Sequence, residues 1–286
     1  MPLVSSSELI TAAVRTGTAV AAFNVITLEH AEAVLEGATA AGTPVILQIS
    51  QNAVKFHAGQ LQPLARAVAE LAGLAPVAAA VHLDHVEDLD LLRQAATAGC
   101  SSAMFDAGAL PYAENLAQTR SAASWAKAND IWLEAELGYI GGKPNSPTSA
   151  HAAGVRTDPA EARAFVAETG VQALAVAVGS SHAMTSRSAT LDFDLIAELA
   201  ATLDVPLVLH GSSGVSDADL ATAVRAGIRK VNIGTALNIA MTRSIREILD
   251  ADPALVDPRR YLAPARTAMA ETVRQLCQVV TQPTPS

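Results

Sequence analysis

The chain has 286 residues, of which 50% are hydrophobic and 16% are charged, a composition that suits one large globular domain or two small ones. The net charge of −9 argues against nucleic acid or an anionic membrane as the main partner. The N-terminus lacks the features of a signal peptide, and no apolar run reaches the ~18 residues that a membrane span needs. With only two cysteines, Cys100 and Cys277, the sequence predicts a soluble, cytoplasmic protein without a disulfide framework.

Short apolar runs alternate with longer segments of helical periodicity. The strand-like runs cover residues 19–25, 44–50, 77–84, 102–106, 131–137, 173–179, 206–210 and 230–234. Runs this apolar are typical of parallel strands that are buried on both faces. Helical patterns with start and stop signals cover residues 28–42, 87–99, 158–170 and 216–227.

Eight strand–helix units in about 230 residues, with an extra helix at each end, predict an α/β fold of the (β/α)8 TIM-barrel type. We expect residues 1–286 to form a single domain, with residues 281–286 as a disordered tail. An open, doubly wound sheet is the alternative, but no GxGxxG turn follows the first strand. Residues 138–157 form the longest irregular stretch, which is typical either of an active-site lid or of a disordered insertion.

Three histidines follow predicted strands at the same end. His85, His182 and His210 lie at or just past the ends of the runs AAVHLDH, ALAVAVGSSH and PLVLH. Because a parallel barrel gathers the carboxyl ends of its strands on one face, we expect these side chains to converge. Each alone is more readily an ordinary histidine, but three imidazoles with an open fourth position are the ligands of a catalytic Zn²⁺. Asp84 would place a carboxylate beside that metal.

Acidic residues interrupt the fifth strand. Glu134 and Glu136 are two residues apart and therefore face the same side of the strand. Carboxylates on an apolar strand are costly unless they are paired or functional. Glu136, nearer the active end, is predicted to support a metal ligand or to be an alternative ligand, and an internal polar network is an equal alternative. His82, inside the third strand, is predicted to be a core or supporting group.

Two glycine-rich turns leave the last two strands. HGSSG at 210–214 follows strand seven, and NIGT at 232–235 follows strand eight. Glycine lets the backbone approach a phosphate, and hydroxyl and N–H groups can complete the cradle. Many barrels of this kind bind phosphate after strands seven and eight. The two turns therefore predict a phosphate site.

The order and spacing of several motifs resemble one known family. AFNV, HLDH, EAELG, TDPAEARAFVAETGV, AVAVGSSH, PLVLHGSSG and KVNIGT are similar to segments of the class II (zinc-dependent) ketose-bisphosphate aldolases. The fructose-1,6-bisphosphate and tagatose-1,6-bisphosphate members are the most similar, from the N-terminal helix to about residue 275. The resemblance implies reversible cleavage of such a ketose (bis)phosphate to dihydroxyacetone phosphate and an aldehyde. It also implies a small-molecule sugar phosphate as the ligand, in a homodimer or homotetramer.

The resemblance also assigns roles to residues. It implies that His85, His182 and His210 bind Zn²⁺ and that Asp84 is the acid/base on the C4 hydroxyl. A monovalent cation, Na⁺ or K⁺, is expected near the phosphate loops. The positions that match phosphate-binding residues are Gly211, Ser213, Gly234 and Thr235, and those that match other substrate or active-site contacts are Asn24, Ser50 and Asn232.

The chain departs from the family pattern in two places. Ala183 stands where the family usually has glycine. In the strand-five loop, Gly141-Gly142 is followed by Lys143 and Pro144, where the family usually has an acidic residue, and residues 137–157 contain no carboxylate. The group that protonates the enediolate is therefore open, with water and three loop side chains as candidates: Tyr139, Lys143 and His151.

Other function classes fit less well. A Schiff-base aldolase needs a lysine at the active end of a strand, and Lys230 is predicted to open strand eight at the opposite end. A zinc hydrolase would carry His-x-His on strand one, which here reads AVAAFNV. A barrel that binds a sugar phosphate without turnover is the alternative function. The sequence leaves open the stereochemistry at C4 and whether the aldehyde product is phosphorylated.

Overall fold

A computed structural model describes residues 3–137, 156–181 and 184–282. Eight parallel strands pair in chain order, and the last pairs with the first to close a barrel. The (β/α)8 prediction is confirmed. The strands are β1 (Val20–Asn24), β2 (Val45–Ser50), β3 (Ala79–Val86), β4 (Ser102–Phe105), β5 (Trp132–Glu136), β6 (Ala173–Ala175), β7 (Leu207–Leu209) and β8 (Ile228–Ile233).

Most strand bounds lie within two residues of the prediction, and two differences matter. Strand β6 is shorter than the predicted 173–179, since its regular pairing stops at Ala175. Strand β8 starts at Ile228, two residues before the predicted start. Lys230 is therefore the third residue of β8 and fully buried, and the prediction that it opens the strand is wrong. The apolar Ile228 extends the strand because it packs in the core outside the barrel.

Helices follow every strand, and two more flank the barrel. Asp158 and Ser216, the first residues of two predicted helical segments, cap helices, since each side chain accepts at least one hydrogen bond from a first-turn N–H group. The extra helices are α1 at the N-terminus and α11 at the C-terminus. The helices are α1 (Ser6–Thr16), α2 (Leu28–Ala41), α3 (Gln51–Phe56), α4 (Leu61–Leu74), α5 (Leu89–Ala98), α6 (Tyr112–Ala128), α7 (Pro159–Thr169), α8 (Phe193–Thr202), α9 (Asp217–Ala226), α10 (Thr235–Ala251) and α11 (Pro258–Val280).

The inside of the barrel has two chemically distinct halves. Alternation along each strand sends every second side chain inward. Helix α1 packs against the half nearest the strand starts, which we call the apolar half: Val20, Ala22, Ile46, Ala80, Met104, Trp132, Ala173, Ala175 and Val208. The half toward the strand ends, the polar half, consists of Asn24, Gln48, His82, Asp84, Glu134, Glu136, His210, Lys230 and Asn232.

The barrel leaves the predictions of cellular location, domain organisation, oligomeric state, lid and tail as predictions. In the ranges given above, no helix is both long enough and apolar enough to cross a membrane. The cytoplasmic location, the single-domain organisation and the oligomeric state are not tested by the barrel itself. The predicted lid falls mainly on 138–155, and the end of the predicted tail is 283–286. Both lie outside the described residues.

Candidate active site

A cleft of about 440 Å³ opens at the carboxyl ends of the strands. Every predicted site residue that the structure describes lines it: Asn24, Ser50, Asp84, His85, Glu136, His210, Gly211, Ser213, Asn232, Gly234 and Thr235. His182 and Ala183 lie outside the described residues, as do the three loop side chains that could protonate the enediolate. The fold thus gathers into one cleft residues that are more than 200 positions apart in the sequence, from Asn24 to Thr235.

A β-bulge brings two consecutive residues of β3 to the cleft. In a regular strand, Asp84 and His85 would point to opposite faces. The pairing of β3 with β4 shifts register after Leu83, and His85 has a positive φ of 49°. Histidine adopts this left-handed backbone more readily than most residues, and such strain is common at functional sites. The bulge re-aims the backbone so that the carboxylate and the imidazole both line the cleft.

Three potential metal-binding side chains meet in this cleft. His85 Nε2 lies 2.9 Å from His210 Nδ1. Donor atoms of His85, Glu136 and His210 all lie within 4.8 Å of one another. Imidazole nitrogens and a carboxylate oxygen are the ligand types of catalytic Zn²⁺. The described side chains therefore fit a divalent cation, and Glu136 is close enough to be one of its ligands.

Acidic neighbours surround His85. Its Nδ1 lies 2.8 Å from Asp106 Oδ2, at the end of β4. Burial lowers the pKa of His85, but the negative charges of Asp84, Asp106 and Glu136 outweigh this effect and raise the pKa to about 10. The same surroundings favour any positive charge at this position, whether a proton or a metal ion.

Asp84 is held between two asparagine amides. Asn24 Nδ2 donates to Asp84 Oδ2 over 3.3 Å, and Asn232 Nδ2 donates to Oδ1 over 3.4 Å. Gln48 Nε2 in turn donates to Asn24 Oδ1 over 2.9 Å, which fixes the orientation of that amide. Asp84 is itself buried, so these contacts define the direction of its carboxylate.

A buried ion pair lies next to His210. Glu134 Oε1 is 2.8 Å from His210 Nε2, and Glu134 Oε2 accepts from Lys230 Nζ over 2.7 Å. The same Nζ donates to Asn232 Oδ1 over 2.7 Å. Burial raises the pKa of Glu134, and the charge of Lys230 opposes that shift. Of the two alternatives for the β5 carboxylates, Glu134 belongs to an internal polar network.

His82 supports the barrel core, as its position inside β3 predicts. Its Nδ1 lies 2.7 Å from Ser102 Oγ, and that hydroxyl is 2.6 Å from Ser6 Oγ of α1. Burial lowers the pKa of His82 well below its usual range, so the ring is neutral. Its Nε2 is 3.9 Å from Asp84 Oδ1, too far for a direct hydrogen bond. The ring therefore does not orient Asp84 directly.

The two glycine-rich turns lie beside the metal-binding side chains. Gly211 has φ 65°, and a Cβ there would lie 2.4 Å from the Ser181 carbonyl oxygen, so only glycine fits. A Cβ at Gly234 would lie 2.8 Å from Asn24 Oδ1. Gly234 precedes the first turn of α10, where Ser213 Oγ accepts from the Ala236 N–H over 3.1 Å. A helix N-terminus and closely packed turns are a favourable environment for phosphate.

Sequence reasoning missed three members of this site. Asp106 ends the predicted strand 102–106, so the strand-end rule that selects the histidines also selects it. Gln48 is a polar residue within an otherwise apolar strand, which is the signal that singled out Glu134. Lys230 was predicted to open strand eight, so its buried position gave no such signal. Their contacts became visible only when β1, β2, β5 and β8 closed around one interior.

Comparisons with known proteins agree with this geometry. Residues 4–283 match the family described as Fructose-bisphosphate aldolase class-II. The chain is 35% identical over 277 residues to a fructose-bisphosphate aldolase of Staphylococcus aureus strain Mu50, with 96% of each sequence covered. Among solved structures, it superposes on the YdjI aldolase of Escherichia coli K12 with a TM-score of 0.84 and 30% identity, over 97% of each chain.

Proposed function

Since the chain belongs to the class II fructose-bisphosphate aldolase family, and is thus an aldolase and a carbon–carbon lyase, we propose that it is a zinc-dependent ketose-bisphosphate aldolase. Its proposed substrate is fructose-1,6-bisphosphate or tagatose-1,6-bisphosphate, cleaved reversibly to dihydroxyacetone phosphate and an aldehyde. The observation that carries this proposal is the convergence of His85, His210 and Glu136 beside Asp84 in one cleft. Membership in an aldolase family favours the enzyme over a barrel that only binds sugar phosphate.

The proposed metal ligands are His85, His210 and His182, with Glu136 as a neighbour or alternative ligand. When bound, Zn²⁺ supplies a Lewis acid that polarises the ketose carbonyl. Asp106 orients the imidazole of His85 through its Nδ1 contact, which leaves Nε2 directed toward His210. The orientation of this proposed ligand is thus fixed by a carboxylate on the side of the ring that faces away from His210.

Asp84 is the proposed acid/base. In cleavage, the C4 hydroxyl gives its proton to the Asp84 carboxylate, the C4 oxygen becomes a carbonyl, and the C3–C4 bond breaks with its electron pair retained on C3. In the reverse direction, Asp84 returns the proton to the aldehyde oxygen. The Asn24 and Asn232 amides hold the carboxylate in place for this transfer. Protonation of C3 falls to water or to the strand-five loop.

The phosphate of the dihydroxyacetone half is proposed to bind in the two glycine-rich turns. Gly211 and Gly234 permit close approach of the backbone, and Ser213 and Thr235 line the same cleft. Ser50 and Asn232 are proposed to contact the substrate. A Na⁺ or K⁺ ion near these turns remains part of the proposal because it would offset the charge of a bound phosphate.

The cleft offers little positive charge. Four acidic side chains line it: Asp84, Glu87, Asp106 and Glu136. Among the lining residues that the structure describes, Lys55 of α3 is the one lysine or arginine. We therefore assign Lys55 to a distal phosphate, if the preferred substrate carries one.

A substrate panel tests this proposal. Fructose-1,6-bisphosphate, tagatose-1,6-bisphosphate and the corresponding 1-phosphates would be assayed for release of dihydroxyacetone phosphate, with and without Zn²⁺. We expect zinc-dependent release, and a Lys55→Met variant that loses preference for bisphosphates over 1-phosphates. Lys127→Met, in the last turn of α6 and not among the residues that line the cleft, is the matched control for loss of one positive charge. Full activity of metal-free protein would contradict the proposal.

A Schiff-base mechanism gives a different result. Borohydride added during turnover would trap a covalent adduct between the substrate and a lysine. We expect none, because Lys230 Nζ is engaged by Glu134 and Asn232. Sedimentation of the purified protein tests the proposed homodimer or homotetramer, and a monomer at assay concentration would contradict it.

A further inference from the structure

Lys230 and Glu134 place two opposite charges in the barrel interior. Both side chains are fully buried, and their charged atoms are 2.7 Å apart. A buried ion pair is seldom a good source of stability, because removing two charges from water costs about as much as their attraction returns. Its contacts lead to two different members of the proposed active site, which indicates a role beyond stability.

The contact of Lys230 with Glu134 affects the orientation and the tautomer of the His210 ring. His210 Nε2 lies 2.8 Å from Glu134 Oε1 and 3.0 Å from Asn232 Nδ2, and Glu134 is held in this position by Lys230 Nζ. Because the carboxylate oxygen is the nearer partner, we assign a proton to Nε2, which donates it to Glu134. Nδ1 then presents its lone pair to the cleft, where His85 Nε2 lies 2.9 Å away. A metal-binding histidine needs one unprotonated nitrogen in the correct direction, and a carboxylate behind the ring supplies that condition.

The second contact sets the orientation of Asn232. An ammonium group only donates, so the Asn232 side chain turns its oxygen toward Lys230 Nζ, at 2.7 Å. Nδ2 is thereby directed toward Asp84 Oδ1, at 3.4 Å, and toward His210 Nε2, at 3.0 Å. On the other side of Asp84, Gln48 performs the same orientation for Asn24. Lys230 thus orients one of the two amides that hold the proposed acid/base.

We propose that Lys230 is a positioning residue with two targets. Through Glu134 it orients His210, a proposed metal ligand. By direct contact it orients Asn232, a partner of the proposed acid/base. This inference rests on the proposed function, since it assigns His210 to a metal and Asp84 to proton transfer. Lys230 forms no covalent bond with substrate and does not touch it. Its effect is to couple the geometry of the metal ligand to that of the proton-transfer group.

Metal affinity measured by competition with a chromophoric chelator is the first test. Co²⁺ serves as the probe because its visible spectrum also reports ligand geometry. We expect Glu134→Gln and Lys230→Met each to weaken Co²⁺ binding by about 10–100-fold, the usual effect of removing the partner of a ligating histidine. Val231→Ala is the matched control. Val231 is the next residue of β8 and fully buried, but it packs in the core outside the barrel.

A double variant separates positioning from stability. Lys230→Met alone leaves a buried carboxylate without its counter-charge and should lower the melting temperature of the metal-free protein. Glu134→Gln combined with Lys230→Met removes both charges, so the melting temperature should recover. Co²⁺ affinity should stay weakened and the spectrum altered, since no carboxylate holds the ring. Recovery of affinity in parallel with the melting temperature would show a purely structural pair.

The tautomer of His210 is read without metal or substrate. In nitrogen-15 NMR spectra of the metal-free protein, we expect its Nε2 to be protonated, with a downfield proton signal typical of a hydrogen bond to carboxylate. Glu134→Gln should shift this signal, and Val231→Ala should not. Protonation at Nδ1 in the wild type would overturn the inference. This result is independent of activity, so it distinguishes failure of the inference from failure of the proposed function.

Kinetics test the contact with Asn232. If Lys230 orients both neighbours, Lys230→Met should lower kcat further than Glu134→Gln at saturating metal, because only the former releases the Asn232 amide. Equal kcat values for the two variants would restrict the role of Lys230 to the metal ligand and overturn the coupling. The kinetic measurements and the metal-binding measurements use the full chain.

Discussion

The two halves of the barrel interior are built from the same strands but differ in chemistry. In β1, Val20 and Ala22 lie in the apolar half and Asn24 lies in the polar half. In β5, Trp132 lies in the apolar half, and Glu134 and Glu136 follow at steps of two. In these two strands the change occurs along a single strand, because alternation keeps all these side chains inward.

The two halves of the barrel interior therefore contribute differently to the protein. The apolar half, closed by α1, contributes burial of hydrophobic surface and needs only volume and shape. The polar half holds charges that are each satisfied by a specific partner, as in the contacts of Lys230 with Glu134 and Asn232. Substitutions in the apolar half should therefore alter stability alone, and those in the polar half should also alter metal binding and rate.

Metal removal should produce the largest effect, confined to the polar half. Chelation is expected to lower aldol cleavage by about 10³-fold or more, because a Lewis acid stabilises the developing charge by several kcal/mol. Added Zn²⁺ or Co²⁺ should restore the rate. His85→Ala should not be restored, since it lacks a proposed ligand. A His85→Ala variant with wild-type metal content would remove this residue from the ligand set.

Asp84→Asn should lower kcat by about 10²-fold, the usual scale for loss of a general acid/base. Metal content, measured by atomic absorption, should be unchanged, because the asparagine side chain keeps the size of the original. Asp84→Asn should thus lose rate and keep its metal, whereas His85→Ala should lose both. Cleavage at the wild-type rate would show that another group accepts the proton.

Asp106→Asn should weaken metal binding by about tenfold, since His85 Nδ1 would lose its carboxylate partner. Chelator competition measures this change. Asp90→Asn, an exposed position on α5, is the matched control and should bind metal like the wild type. Unchanged affinity in Asp106→Asn would mean that the β3 bulge alone fixes the ring.

Ile46→Val should have the smallest effect and should affect only the apolar half. Removal of one buried methylene group there is expected to lower the free energy of unfolding by about 1 kcal/mol. Urea denaturation of the metal-free protein measures the loss, and kcat/KM should not change. A lower kcat/KM would show that packing near α1 is transmitted to the polar half.

The class of fold and most candidate site residues follow from the pattern of the amino-acid sequence. Strand ends are recognisable because an apolar run of fixed length is followed by polar residues, and a parallel barrel places all such ends on one face. That rule selected Asp84, His85 and His210, and their convergence needed no knowledge of pairing partners. The same rule holds for Asp106, which follows β4.

The contacts between polar side chains in the barrel interior depend on how the strands pair. The positive φ at His85, the bulge beside it and the burial of Lys230 depend on the pairing register of β3 with β4 and of β8 with β1 and β7. Register is a property of two strands together, and a shift of one residue reverses the direction of every side chain. A strand pattern therefore predicts that Glu134 and Lys230 are unusual, but closure of the barrel determines that they meet.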